Sequence, residues 1–249
     1  MTIHRIASTI PLQKGAFLAL EESQAHYVSS VLRLKPNDNL RLFHTDCGEY
    51  EAVIHAIYKK GCELRIGEQT RQPQRSPDFW CCFAPVKGGR TETIIEKATE
   101  LGARVIQPVL TKRCVVDKVN IERLDAVARE AAAQCERIDI PEIRPLIIFE
   151  KLLAAWPAER TLFYGDESGN SASIADVIKN KMLQTASLVG PEGGFAPEEF
   201  TQLKHIVFTH GVSLGPRILR SDTANITLCA LIMQQCGDWN ERPRFQPNA

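Results

Sequence analysis

Two short loops carry the residues of this chain best suited to binding and chemistry. The first lies in Leu188–Phe195, LVGPEGGF, and the second in Leu214–Thr223, LGPRILRSDT. Each follows a short apolar segment, turns at Gly-Pro and leads into a helix-compatible run. That strand–loop–helix order is typical of α/β domains that bind ligands at the carboxyl ends of parallel strands. Glycine lets the backbone approach a ligand closely, and proline stiffens the turn. An ordinary tight turn accounts for either loop alone. The pair, with Glu192 in one and Arg220 in the other, predicts two loops side by side at the ends of neighbouring parallel strands.

The first loop has neither the lysine of a P-loop nor the spacing GxGxxG. Ala196-Pro197-Glu198-Glu199 then opens a helix, with proline in its first turn and two carboxylates at the positive end of its dipole. Those carboxylates would repel a phosphate. The expected ligand is therefore phosphate-free, such as a nucleoside held by backbone amides and carbonyls. In the second loop, Arg217 and Arg220 can grip a carboxylate or an RNA phosphate in bidentate fashion. Ser221 or Asp222 is placed to cap the helix that follows. Arg137 closes the segment AAQCER and either complements a helix C-terminus or steers a ligand. Lys112 and Arg113 could form a basic rim, and Arg5, Arg33 and Lys35 a second patch. Each of these charges alone reads more simply as a solvated surface group.

The elements that must position these residues fall into two styles. Before the polar, proline-bearing stretch QTRQPQRSP at 69–77, short strand-like runs dominate: His4–Ser8, Asn39–His44, Glu49–Tyr58 and Cys62–Gly67. One helix-like run, Glu22–Leu34, interrupts them with Tyr27, Val31 and Leu34 on one face. Close-spaced short strands predict a small β-barrel, and 69–77 reads as a linker. Afterwards strands and helices alternate. Phe79–Ala84, Val105–Leu110, Thr161–Gly165 and Ser187–Gly190 read as strands. Thr91–Leu101, capped by Gly102, and Ile121–Cys135 read as helices. This alternation implies a mostly parallel sheet with helices on both faces. The last helix, Thr223–Cys236, is apolar nearly all round, which predicts burial on more than one side and suggests a subunit interface.

Composition narrows the field. The 249 residues are 44% hydrophobic and 24% charged, so the chain can bury a core. Thirty basic and thirty acidic residues cancel, so any nucleic-acid affinity must come from local patches. No apolar run is long enough to cross a bilayer, and the N-terminus lacks a signal-peptide core, which predicts a cytosolic protein. The eight cysteines form no CxxC pair and no Cys/His cluster with zinc spacing. They read as reduced and structural, with no metal.

Taken in order, these motifs resemble the ribosomal RNA small-subunit methyltransferase E family of the SPOUT superfamily. The matching pieces are His26–Pro36 (HYVSSVLRLKP), Gly48-Glu49-Tyr50, Lys87-Gly88-Gly89-Arg90, Glu96–Gly102 (EKATELG), Glu130–Arg137 ending QCER, Gly190–Phe195 and Leu214–Thr223. They run almost end to end. A single GPEGG is weak; the ordered set with LGPRILR is specific. Two departures stand out. Ser221-Asp222 replaces the family's usual Thr-Glu, and Ala196 stands where serine is common. The first keeps a hydroxyl and shortens a carboxylate; the second removes a helix cap.

The resemblance implies an α/β fold: a trefoil-knotted parallel sheet flanked by helices over 73–249, with a PUA-like β-barrel over 1–72 that helps hold RNA. It implies methylation of N3 of a uridine in 16S rRNA of the small ribosomal subunit, with S-adenosylmethionine as cofactor and a homodimer built through the last helix. Carried over, the cofactor pocket is Leu188, Val189, Gly190, Pro191, Glu192, Gly193, Gly194, Leu214, Gly215, Ile218, Leu219 and Arg220. Arg220, Glu192 and Arg137 are the catalytic candidates, and Arg5, Arg33, Lys35, Lys112 and Arg113 the RNA contacts. Two rival readings are a related SPOUT enzyme with another RNA target and a non-catalytic RNA-binding protein. Intact loops argue against the latter.

Overall fold

A computed structural model describes residues 3–59, 61–178 and 182–241. The chain divides into two compact units. One comprises the residues up to Arg75 together with Ala132–Ile140; the other comprises Ser76–Ala131 and the residues from Pro141 onward.

In the first unit the strands are β1 (Arg5–Ala7), β2 (Phe17–Ala19), β3 (Asn39–His44), β4 (Gly48–Tyr58) and β5 (Gly61–Arg71), with α1 (Glu22–His26) between β2 and β3. They form a five-stranded sheet in the order β1-β3-β4-β5-β2, antiparallel except for the β1–β3 pair. Ile6 of β1 and Leu18 of β2, on the two edge strands, belong to one buried cluster with Leu40, Leu42, Ile54 and Leu64 of the strands between them, so all five strands share one core. Sequence reading missed β2, which is three residues long. It also placed Gln69–Arg71 in a linker, whereas they extend β5; only 72–77 lacks regular structure.

The helix expected over Glu22–Leu34 is shorter than its pattern suggested. After α1 the chain widens into a π-helical turn at Tyr27–Val31, where Leu32 N–H donates to the Tyr27 carbonyl. The wider turn rotates the face. Ala25 and Val28 point into the core, and Tyr27 and Val31, expected inside, are 42% and 59% exposed.

At the heart of this unit Glu49 is fully buried. It accepts hydrogen bonds from Arg5 Nε (2.7 Å), Arg41 Nη1 (3.2 Å) and Thr70 Oγ1 (3.0 Å). Arg5 spends its remaining donors on the carbonyls of Ala132, Ala133 and Arg137. These bonds fasten Ala132–Ile140 to the sheet, and Ala132 packs with Ala7 and Phe43.

The second unit holds β6 (Asp78–Phe83), α2 (Arg90–Glu100), β7 (Val105–Leu110), the start of α3 (Ile121–Gln134), β8 (Glu142–Ile143), β9 (Ile147–Ile148), α4 (Phe149–Ala154), β10 (Thr161–Gly165), α5 (Ile174–Val177), β11 (Gln184–Val189), α6 (Pro197–His205), β12 (Thr209–Val212) and α7 (Ser221–Cys236). Its seven-stranded sheet runs β12-β10-β11-β6-β7-β8, with β9 also on β7, and every pair is parallel. Alternate residues of β6 feed two cores. Phe79, Cys81 and Phe83 pack under α2, α5 and α7, and Cys82 packs under α4 and α6 with Leu162, Leu188 and Leu203. Burial on both faces explains why these strands read as near-continuous apolar runs.

Gly102 ends α2 as its position predicts, at φ +91°. Gly102 N–H donates to the Thr99 carbonyl and Ala103 N–H to that of Ala98, the two bonds of a Schellman cap. The last helix buries Ala224, Asn225, Leu228, Cys229, Ile232, Met233 and Cys236 within the unit. Its other face, with Ile226, Thr227 and Ala230, stays partly open. Among the described residues no helix is long and apolar enough to cross a membrane.

Candidate active site

The two glycine–proline loops meet, but not on adjacent strands. β11 delivers the first and β12 the second, and β10 lies between them. Gly165, at the end of β10, lies between them. A Cβ there would lie 3.6 Å from Leu214 of the second loop and 3.8 Å from Val189 at the root of the first. The expectation of neighbouring strands is therefore corrected: the loops close over an intervening strand that ends in glycine.

One hydrogen bond joins the loops directly. Ser221 Oγ donates to the Gly190 carbonyl at 2.7 Å, in a buried position. Ser221 was expected to cap α7, but the helix starts without a side-chain cap. Its hydroxyl crosses to the first loop instead. Asp222 does not cap either; its Oδ1 is buried without a hydrogen-bond partner among the described residues. Ser221→Ala should strand the Gly190 carbonyl, at a cost of about 1–3 kcal/mol, and loosen ligand binding. Ser221→Thr should restore both. Urea denaturation and calorimetry on the two variants check this.

The first loop folds back on itself. Gly194 N–H donates to the Pro191 carbonyl at 2.9 Å, and Gly194 adopts φ +67°. A Cβ on Gly190 would sit 3.3–3.4 Å from Gly194 and Phe195. Phe195 anchors the end of the loop among the residues under α4 and α6, with its ring 6.2 Å from that of Phe149. Glu192 lies exposed, 3.8 Å from Arg90, the first residue of α2. The KGGR and GPEGG segments, far apart in sequence, therefore meet here.

The missing serine at 196 is compensated. Glu199 Oε2 accepts the Ala196 N–H at 2.8 Å, which preserves one half of a capping box. The carboxylates expected to repel anions are themselves engaged. Glu199 also accepts the Lys112 N–H, and Glu198 pairs with Lys112 Nζ at 2.6 Å. That hydrogen bond raises the pKa of Lys112 and lowers that of Glu198. Beside the loop, burial pushes the Asp166 carboxyl upward. Hydrogen bonds from Ser171 and Ser168 outweigh it and leave Asp166 below its ordinary value.

The remaining candidates separate by exposure. Gly190 and Pro191 are buried, Gly193 is exposed and Gly194 half-buried. Gly215, Arg217, Ile218 and Arg220 are exposed, and Leu214 and Leu219 lean on the core. Leu188 is wholly buried under α4 and α6, so its side chain supports the loop from below and does not line it. Arg33 and Lys35 are exposed on the first unit.

Two expectations are corrected. Arg5 is no surface contact, being spent on Glu49 and three carbonyls. Arg137 is buried with its guanidinium on Asp139, at 3.1–3.2 Å, and does not present itself to a substrate. Lys112 and Arg113 are exposed as expected but already occupied, Arg113 donating to the Gly193 carbonyl at 2.8 Å. Glu199, read only as a carboxylate at a helix start, and Arg90, read only as part of KGGR, were not among the site candidates. A glutamate three residues after a helix start is the capping-box signal that could have found the first.

All eight cysteines are free thiols, and no group of three potential metal ligands occurs among the described residues. Burial pushes the Cys82 thiol up to about 12, well away from thiolate chemistry.

Known proteins are similar to this chain in sequence and fold. The family model for RNA methyltransferase domains matches residues 74–233, and that for the RNA methyltransferase PUA domain matches residues 20–67. The ribosomal RNA small subunit methyltransferase E of Rickettsia conorii is 35% identical over 235 residues, covering 93% of this chain and 96% of its own. The Bacillus subtilis protein of that name is 27% identical over 90% of this chain and 92% of its own. Among solved structures, the methyltransferase E of Neisseria gonorrhoeae, crystallised with S-adenosyl methionine, superposes with a TM-score of 0.86 at 27% identity. It covers 96% of this chain and 100% of its own. A Legionella pneumophila protein in complex with the same cofactor gives 0.87 at 30% identity, with equal coverage. The paired Gly-Pro loops at the ends of β11 and β12 lie within the matched RNA methyltransferase domain, and the chain belongs to the ribosomal RNA small subunit methyltransferase E family.

Proposed function

We propose that this protein transfers the methyl group of S-adenosylmethionine to N3 of a uridine in 16S rRNA of the small ribosomal subunit. The observation that carries the reading is the junction of the two loops through Ser221 and Gly190, in a chain whose solved relatives hold that cofactor. The donor set fits a cationic, phosphate-free ligand. Glu192 is exposed on the loop, and Glu167 lies within 2.5 Å of where a Cβ on Gly194 would stand. Carboxylates so placed favour a sulfonium and an ammonium and disfavour a phosphate. When bound, the cofactor supplies an electrophilic methyl group.

The chain's own residues must do the rest. Uracil N3 carries a weakly acidic proton, so a base or a cation that stabilises the uracil anion has to assist. Arg220, exposed where the second loop enters α7, is placed to hold a uracil oxygen or the adjoining phosphate. Glu192 either orients the first loop or takes the proton. Holding both reactants in one crevice supplies much of the acceleration. The target base has to leave its stack to reach this crevice.

Three further parts complete the proposal. The chain between β12 and α7 forms the closing pass of a trefoil knot, supported by the return of α7 against β6 and β11 and by the Ser221–Gly190 bond. The open face of α7 seats a second copy. Ile226→Glu should then give a folded monomer, since Ile226 lies outside the core cluster, and light scattering at micromolar concentration reads the change. A wild-type monomer at that concentration would contradict the dimer.

RNA phosphates are met by Arg33 and Lys35 on the first unit and by Arg217 and Arg220 on the second. Replacing Arg33 and Lys35 together with alanine should weaken RNA binding and flatten its salt dependence by about two ions. Cofactor affinity should stay unchanged. Titrations with assembled small subunits at several salt concentrations test this. Transfer of labelled methyl from S-adenosylmethionine to those subunits tests the reaction itself.

A further inference from the structure

The turn after β7 does more than present two basic residues. Thr111–Cys114 forms a tight turn, closed by Cys114 N–H on the Thr111 carbonyl at 3.1 Å. Three bonds leave this turn for the segment after β11, although β6 stands between the two strands. Arg113 Nη1 donates to the carbonyl of Gly193 in the middle of the glycine loop (2.8 Å). The Lys112 N–H donates to Glu199 Oε1 (2.8 Å), and Lys112 Nζ pairs with Glu198 (2.6 Å).

Glu199 is the hub of this arrangement. Glu199 is only 1% exposed, and among the described residues the nearby Lys112 ammonium is paired with Glu198 and not with it. A buried carboxylate is costly unless hydrogen bonds hold it. Here two backbone amides do, one on each oxygen: Lys112 from the turn, and Ala196 from the last peptide of the glycine loop. One side chain therefore ties the end of the loop to a strand two places away.

We infer that Glu199 and Arg113 are positioning residues that hold the 190–196 loop in its cofactor-binding conformation, so that Arg113 serves the loop and not the RNA. The inference rests on the proposed cofactor. Neither residue touches the reacting atoms; both act through the loop backbone. Glutamine at 199 offers one acceptor oxygen where two amides need one each, so one bond is lost. Alanine at 113 frees the Gly193 carbonyl to water.

The test uses full-length Glu199→Gln, Arg113→Ala and Arg113→Lys, the last retaining a donor. Arg113→Ala is a surface change that preserves the fold if Glu199→Gln does not. By calorimetry the dissociation constant for S-adenosylmethionine should rise at least tenfold in Glu199→Gln and about threefold in Arg113→Ala, with partial recovery in Arg113→Lys. In turnover assays, KM for the cofactor should carry a larger part of the loss than kcat. Amide exchange of the ligand-free proteins, read at residues 190–196, should quicken in the first two variants. Affinity and exchange unchanged in both variants would overturn the inference. So would an Arg113→Ala protein that loses RNA affinity and salt dependence while binding cofactor normally. If the wild-type protein binds no S-adenosylmethionine, the cofactor reading fails, and amide exchange alone still decides whether these residues pin the loop.

Discussion

Glu49→Ala is expected to be among the most damaging single substitutions in the first unit, costing about 3–5 kcal/mol, the usual price of breaking a buried ion pair from one side. The reason is what remains. Arg5, 6% exposed in its side chain, would keep its charge inside the unit with three carbonyls and no anion. Its position over the Phe43 ring, 4.4 Å from the centroid, cannot replace the carboxylate. Arg41→Ala is the control. That side chain is 35% exposed, its bond to Glu49 is longer, and its removal should cost less than about 1 kcal/mol. The three tryptophans, Trp80, Trp156 and Trp239, all lie in the second unit. Loss of strand signal in far-ultraviolet circular dichroism should therefore move to lower urea in Glu49→Ala and precede the change in tryptophan fluorescence. A circular-dichroism midpoint equal to wild type would show that Glu49 does not hold the unit together.

Gly194→Val is expected to lower affinity for S-adenosylmethionine at least tenfold, and its neighbour supplies the contrast. Gly194 stands at φ +67°, a region that costs an L-residue ~1–2 kcal/mol and a β-branched one more. The new Cβ would also fall 2.5 Å from Glu167 Oε1, displacing a carboxylate from the edge of the loop. Gly193 has no positive φ, and a Cβ there would meet only the Arg113 stem at 3.6 Å, an ordinary contact. Gly193→Ala should therefore bind cofactor within about threefold of wild type. Calorimetry on both variants, with urea midpoints to confirm folding, separates a shaped loop from a merely flexible one. Equal losses at both positions would mean that any side chain spoils the loop and that its conformation is not what matters.

Much of this architecture is legible in the sequence because parallel strands buried on both faces read as unbroken apolar runs. Val105–Leu110 and Thr161–Gly165 fall where their patterns place them. Gly102 marks a helix end for a reason local to the chain, the left-handed residue of a Schellman cap. What escaped was set by contacts distant in sequence. Nothing near Arg5 or Arg137 announces that one is absorbed by Glu49 and the other by Asp139. Their charges read as surface because arginine usually is. The π-helical turn at Tyr27–Val31 turned a correct helix start into the wrong buried face. Ser221 looked like a cap because it begins a helix; only the meeting of the loops over β10 shows that its hydroxyl belongs to Gly190. The glycines and prolines of the two loops were the reliable signal, since their spacing reflects backbone shape more than side-chain partners.

The proposed reaction is tested at its product by mapping N3-methyluridine in 16S rRNA from a strain lacking this gene, and from the same strain supplied with wild-type protein or Gly194→Val. One N3-methylated uridine should disappear on deletion, return with the wild-type protein and fail to return with Gly194→Val. Persistence of every N3-methyluridine of the small subunit after deletion, or loss of a methyl group from tRNA instead, would contradict that reaction.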